Sequence, residues 1–290
     1  MIGGKKIVNQ IKDLKGFKSL ITAYEEIAST RMKKTRDSVL YNRAYMSAIE
    51  EIFEEVRTTY AREAHALAKR RGRAEQKLTC LAHNGRAVAV FLSANTGLYG
   101  EIIHRTYQEF VKEIATGNVE ATIAGRYGLS LFINSFPDKP YTFFDLPDAE
   151  VKSTDLSQII RHIVQYEEIH IYYGKFVSVI KQEPTKWVVS AEISLDMEDG
   201  KKPKTSYIFE PSLEEILIFF ETELFASLLE QSVNESQLAK YASRVVAMNR
   251  ADKNIDSTLK NLEMVRLRIN HHELNKKQVN SLSSAIMASE

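Results

Sequence analysis

Cysteine is almost missing from this chain. One thiol in 290 residues, Cys80, can form no intrachain disulfide and no zinc cage, a usage that suits a reducing compartment. Long apolar runs are missing too. Apolar stretches such as 216–220 are far short of the roughly 20 residues that span a bilayer. Residues 1–12 carry no apolar signal-peptide core, so a soluble mature chain is expected. A dominant charge sign is absent as well: 39 basic against 38 acidic side chains leave +1, which gives no overall field to attract nucleic acid or an anionic surface. Any basic contact is therefore local. What is present is ordinary for a globular protein, 44% hydrophobic and 27% charged, which excludes disordered and collagen-like classes.

Proline and glycine are scarce, with six and twelve copies, and their placement is informative because they are the strongest punctuators of local structure. None lies between Phe17 and Arg71, and none between Ser212 and Glu290. Every proline and nearly every glycine falls within 72–211. The chain thus reads as three parts: a breaker-free arm at 1–71, a punctuated middle at 72–211 and a second breaker-free arm at 212–290.

Both arms alternate apolar steps of three and four, the spacing of a seam that packs on another helix. In the first arm the seam is Ile7, Ile11, Leu14, Ile21, Ala28, Met32, Val39, Met46, Ile49, Phe53 and Val56, with Lys18, Glu25, Thr35 and Asn42 as polar gaps. In the second it is Leu238, Tyr241, Val245, Met248, Ile255, Leu259, Leu262 and Ile269, interrupted by Asp252 and Arg266. Helices of this size reach on the order of 100 Å. No compact domain buries such a seam, so the two arms are expected to pack on each other, antiparallel or nearly so.

The middle alternates strand-like and helix-like runs, the pattern of an α/β layer domain. Strands are expected at 87–93, 119–123, 141–146 and 169–173, with helices at 102–114 and 155–165. The run 187–195 alternates Val189, Ala191, Ile193 and Leu195 against Ser190, Glu192 and Ser194, as a half-buried strand does. Asp199-Gly200 reads as a hairpin turn into 206–209.

Catalytic motifs are missing. There is no phosphate-binding Gly-x-x-x-x-Gly-Lys-Ser/Thr loop, no His-Glu-x-x-His, no Cys-x-x-Cys pair and no Gly-x-Ser-x-Gly elbow. Gly97-Leu98-Tyr99-Gly100 follows a strand and precedes a helix, where backbone amides can receive a phosphate. It lacks the third glycine, the lysine and the hydroxyl of a nucleotide site and reads better as a tight turn. His271 and His272 are adjacent, about 100° apart on a helix, and do not face one metal together. No catalytic, cofactor or metal residue is therefore assigned. Two basic clusters remain. Arg31, Lys33, Lys34 and Arg36 form either a solvated face or a surface for an acidic partner. Lys69, Arg70, Arg71 and Arg73 suit a helix C-terminus, where the dipole favours cations.

Five landmarks in order resemble a known family. The segment Ala23-Tyr24-Glu25-Glu26-Ile27-Ala28-Ser29-Thr30-Arg31-Met32-Lys33-Lys34 resembles the gamma-subunit segment that begins Ala-Met-Glu and ends Lys/Arg-Met-x-Lys. Ser93-Ala94-Asn95-Thr96-Gly97-Leu98-Tyr99-Gly100 is similar to the Gly-Leu-Cys-Gly turn after the first strand, with tyrosine for cysteine. Lys175-Phe176 with Gln182-Glu183-Pro184-Thr185, and then Phe209-Glu210-Pro211-Ser212, resemble two further landmarks. The closest match is Ala242-Ser243-Arg244-Val245-Val246-Ala247-Met248-Asn249-Arg250-Ala251-Asp252-Lys253-Asn254, against Arg-Met-x-Ala-Met-x-x-Ala-x-x-Asn. On these residues the chain resembles the gamma subunits, the central shafts, of F-type rotary ATPases.

The resemblance implies an α/β fold class: an antiparallel coiled coil of long N- and C-terminal helices with an inserted Rossmann-like α/β domain. It also implies a non-catalytic subunit whose partners are the alpha and beta subunits of a hexameric ring, an epsilon subunit and a membrane c-ring. Nucleic acid binding and membrane insertion are not implied. The location implied is cytoplasmic and peripheral, at the inner face of a bacterial-type cell membrane. Motif alignment makes Arg31, Met32, Lys33, Arg244 and Met248 candidates for ring or seam contacts. Asn270 and His271 join them because they stand where the family usually has Arg-Gln; Leu274-Asn275-Lys276-Lys277 likewise replaces Ile-Thr-x-Glu, and Ser19-Leu20-Ile21 replaces Lys-Ile-Thr. These departures leave open a shaft whose ATPase drives something other than proton transport. A homodimeric coiled-coil adaptor is the alternative from another class.

Overall fold

The computed structural model describes residues 2–70, 77–78, 84–117, 119–149, 151–190, 193–194 and 213–287. Cys80, Arg71, Arg73, the Asp199-Gly200 turn, the expected strand at 206–209 and the landmark at 209–212 lie outside them, as do the side chains of Phe53, Val56, Lys69 and Arg70. The chain divides into two compact units, Met1–Ser29 with Arg244–Glu290, and Thr30–Ser243.

Two helices account for both breaker-free arms: α1 at Ile2–Arg70 and α5 at Leu213–Met287, of 69 and 75 residues. Gly16 does not interrupt α1, and nothing approaches the place a Cβ would take there. Burial along α1 follows the seam closely. Between residues 7 and 49, Ile11, Ala28, Val39, Met46 and Ile49 are buried, and Ile7, Leu14, Lys18, Ile21, Glu25, Met32, Thr35 and Asn42 half-buried. The steps alternate four and three throughout, and the polar gaps lie on the same stripe as the apolar positions. On α5, Leu238, Tyr241, Met248 and Leu259 are buried and Val245, Asp252, Ile255, Leu262 and Ile269 half-buried, whereas Arg266 is exposed.

In the first unit the polar gaps of the two helices meet. The Lys18 ammonium donates to Asp256 and lies 3.6 Å from Asp252, and hydrogen bonding to Asp256 is the main reason its pKa is raised. Lys15 lies 3.9 Å from Glu263, and the Arg244 guanidinium 5.8 Å from the centre of the Tyr24 ring. As numbering rises from Lys15 to Tyr24 on α1, its partners fall from Glu263 to Arg244 on α5. A charged pair in an otherwise apolar seam fixes register, because any slip strands both charges against apolar neighbours.

The second unit is built on a five-stranded sheet. Its strands are β2 (Ala87–Leu92), β3 (Val119–Ala124), β4 (Tyr141–Phe144), β5 (Glu168–Phe176) and β6 (Gln182–Ser190), in spatial order β4-β3-β2-β5-β6. The first four run parallel, and β6 returns antiparallel to β5. A separate pair joins β1 (Lys77–Leu78) to β7 (Ile193–Ser194). Three helices make the crossovers: α2 (Ile102–Thr116), α3 (Arg126–Ser135) and α4 (Ser153–Ile163).

Strand β2 reads Ala-Val-Ala-Val-Phe-Leu because both its faces are covered. Val88, Val90 and Leu92 pack with Ile169, Ile171 and Tyr173 of β5 beneath Leu156, Ile159 and Ile163 of α4 and Phe225, Leu229 and Val233 of α5. Ala89 and Phe91 face the other way, onto Tyr107, Phe110 and Ile114 of α2 and Phe132 of α3. Phe91 and Phe110 stack at 5.3 Å between ring centres, and Tyr172 meets Phe110 edge-on at 5.6 Å. The chain winds outward from β2 through β3 to β4 and then returns to place β5 on the other side of β2. Strand order therefore reverses at the C-terminal ends of β2 and β5.

Several sequence expectations shift here. The strand expected at 187–195 begins at Gln182, since Pro184 sits on an edge strand where its missing N–H costs no ladder bond. The helix expected at 155–165 begins two residues earlier, with the Asp155 carboxylate accepting from the Lys152 amide at 3.0 Å. Helix α3 has no counterpart among the expected elements. Gly128 inside it reads as a breaker, yet it is there for close approach: a Cβ would lie 2.5 Å from the Ser93 Cβ and 2.9 Å from Phe91.

Candidate functional site

In an open sheet wound this way, ligands bind where strand order reverses, beyond the C-terminal ends of the strands. In this chain that crevice holds the protein's own charges. The turn after β2 offers the amides of Asn95 and Thr96, and the Asp148 carboxylate accepts them at 2.8 and 2.9 Å, with the Thr96 hydroxyl at 2.8 Å. A carboxylate from the β4–α4 connection thus takes the free amides of the turn.

A cation comes from α5. The Lys240 side chain is 6% exposed; its ammonium donates to the Ser93 carbonyl at 2.7 Å, lies 3.9 Å from Asp148 and 5.8 Å from the centre of the Tyr99 ring. One residue on, the Tyr241 hydroxyl donates to the Asp148 carbonyl at 2.6 Å. The outer rim is charged too. Arg126 pairs with Asp145 at 2.5 Å, and Asn95 donates to Asp145 at 2.6 Å; these hydrogen bonds hold the Asp145 carboxyl below its usual range.

Backbone geometry brings α5 this close. Gly100 has φ of +65°, and a Cβ there would lie 2.5 Å from the Ser243 hydroxyl and 2.9 Å from its carbonyl. Gly174 of β5 is equally tight: a Cβ would lie 2.6 Å from Ile102 and 3.4 Å from Ala239. Further along α5, Glu235 is 2% exposed and takes Arg43 of α1 at 2.5 Å. Tyr173 lies beside this pair, its hydroxyl pushed up to about 12, by burial first and then by the Glu235 charge.

The residues singled out from sequence are dispersed. Arg31, Lys33, Asn270 and His271 are exposed, as is every described residue from 270 to 284. Met32 is turned inward against the aromatic cluster of α2 and α3. Arg244 and Met248 are buried in the first unit. His272 is exposed next to His271, and among the described residues no group of three or more His, Cys, Asp or Glu is placed to hold a metal. Asp148, Lys240 and Glu235 are not marked by the sequence pattern. Lys240 carries the only faint signal, a charge in an otherwise buried stretch of α5.

Family likeness extends over nearly the whole chain. A family model described as ATP synthase matches residues 3–269. The chain belongs to the ATP synthase gamma family. Its relatives in that family include the ATP synthase gamma chain of Laribacter hongkongensis, 23% identical over 271 residues and covering 91% of this chain and 92% of that one. The gamma chain of Desulforamulus reducens is 22% identical over 276 residues, covering 91% of each. In fold the chain is similar to a chain of the Euglena gracilis mitochondrial ATP synthase rotor, with a TM-score of 0.62, 12% identity and coverage of 94% of this chain and 99% of that one. A chain of the Tetrahymena thermophila central stalk and c-ring is also similar, with a TM-score of 0.57, 16% identity and coverage of 80% and 99%. Gamma chains are subunits of the synthase and not its catalytic subunits. No described helix of this member is long and apolar enough to cross a membrane.

Proposed function

We propose that this gamma chain is the central shaft of a rotary ATPase, coupling ATP synthesis or hydrolysis in a ring of alpha and beta subunits to rotation and ion translocation. Helices α1 and α5 serve as an antiparallel coiled coil inside the ring. Residues 72–211 serve as a Rossmann-like foot that meets an epsilon subunit and a membrane c-ring, with 1–71 and 212–290 as the coiled-coil arms. The complex is peripheral to the cytoplasmic face of the membrane. The observation that carries this reading is the seam of α1, in which thirteen buried or half-buried positions from Ile7 to Ile49 alternate spacings of four and three and include the polar ones. Such a stripe suits a long partner helix.

Coupling then follows from differential contact. A shaft whose exposed face differs around its circumference stabilises a different ring conformation at each angle, and each conformation in turn favours an angle. Arg31, Lys33, Asn270 and His271, all exposed, act as ring contacts, while Met32, Arg244 and Met248 act from inside by fixing the helices that carry them. The changed residues at 270–271 and 274–277 favour a second reading, in which the ring drives an output other than proton transport.

Co-purification tests the proposal. Tagged chain is expected to bring down alpha and beta chains of its own cell, and removing it from the purified complex is expected to change ring ATPase activity. Recovery of a homodimer with no such partners would sink the shaft reading and favour an adaptor.

A further inference from the structure

We propose that Lys240 and Asp148 form a torsional latch that fixes α5 to the sheet, so that turning α5 turns the sheet with it. The inference rests on the shaft reading for its mechanical meaning, while the latch itself stands on geometry. A sheet wound in this manner offers a crevice where strand order reverses, lined by backbone amides and carbonyls. Here the amides of Asn95 and Thr96 are taken by Asp148, and the Ser93 carbonyl by Lys240. Each charge neutralises the other at 3.9 Å, and the Tyr99 ring adds a cation–π contact.

Position matters as much as strength. Apolar packing of Phe225, Leu229 and Val233 against the sheet holds α5 near it but is only weakly directional. Charge-assisted hydrogen bonds have a fixed direction and length. Lys240 and Tyr241 both reach the segment 93–148 from adjacent positions, about 100° apart on the helix. Rotation of α5 about its axis therefore breaks one contact or the other. Gly100 permits the close approach. Lys240 and Asp148 are positioning residues.

The test uses Lys240→Met, which keeps most of the buried stem, and Asp148→Asn, which keeps the hydrogen-bonding shape. In the isolated full chain, amide exchange at 239–243 is expected to rise about tenfold in each variant, the loss of one charge-assisted hydrogen bond. The double variant is expected to add little more. In the complex assembled with alpha and beta subunits, a bead is attached to the sheet through Ile180→Cys in a Cys80→Ser background. The spread of bead angles during pauses is expected to widen about twofold in either variant, with unloaded ATP hydrolysis unchanged. Unaltered exchange together with an unaltered spread overturns the latch. Faster exchange with an unaltered spread shows a local tie that bears no torque and overturns it equally. A native complex that does not rotate counts against the shaft reading, and exchange then decides whether Lys240 ties α5 to the sheet.

Discussion

Single residues in this protein matter most where the backbone leaves no space. Gly100 combines a left-handed conformation with a Cβ position that falls on the Ser243 carbonyl, so Gly100→Ala adds strain and a clash with helix backbone that cannot swing away. The expected cost is about 2–4 kcal/mol, read as a lower midpoint in urea denaturation. Gly97 is the contrast, with nothing within 4 Å of its Cβ position. Histidine 162 provides a second test at this scale. It is half-buried, with its Nε2 3.1 Å from the Thr122 hydroxyl and its ring against Phe144 and Tyr166. Burial depresses its pKa, partly opposed by Glu120. The unfolded chain therefore takes up a proton first as pH falls below about 6.5. Stability from the neutral ring is complete above that point and declines below it, toward the depressed folded value, at up to about 1.4 kcal/mol per pH unit. His162→Gln should flatten that part of the stability–pH curve; an unchanged slope would remove the histidine from the account.

Elements were read from the sequence with uneven success, and the reasons are physical. The seam of α1 was legible because its buried and half-buried positions keep one 3.5-residue repeat from Ile7 to Ile49, even where Met32 meets α2 and α3. Strand β2 was legible because a doubly covered strand is a continuous apolar run. Helix α3 was hidden by Gly128, whose meaning lies in a contact with Ser93 that no local pattern encodes. The crevice was hidden for the same reason, since Asp148 and Lys240 are brought together across 92 residues of sequence. The candidates for ring contact were found by family likeness, and the structure separates them into an exposed set and a buried one. The seam itself predicts a difference between two identical substitutions on one helix. Ala28 is fully buried and Ala23 exposed. Ala28→Leu overpacks its site and should cost about 1–3 kcal/mol. Ala23→Leu should stay within about 0.5 kcal/mol of the parent. Thermal melts of the two variants side by side check this, and equal melting temperatures would contradict the assigned seam.

At the scale of the whole molecule, the proposed shaft rests on the length of two helices. Helices of 69 and 75 residues extend about 100 and 110 Å at 1.5 Å per residue. The crevice that serves many related sheets as a ligand site is closed here by the chain's own lysine and aspartate. Direct observation of rotation is the most telling measurement. With the alpha and beta ring fixed to a surface and a bead on the sheet at position 180, ATP should drive stepwise turning in one direction. A ring that hydrolyses ATP at full rate while the bead only fluctuates about one angle would contradict the shaft.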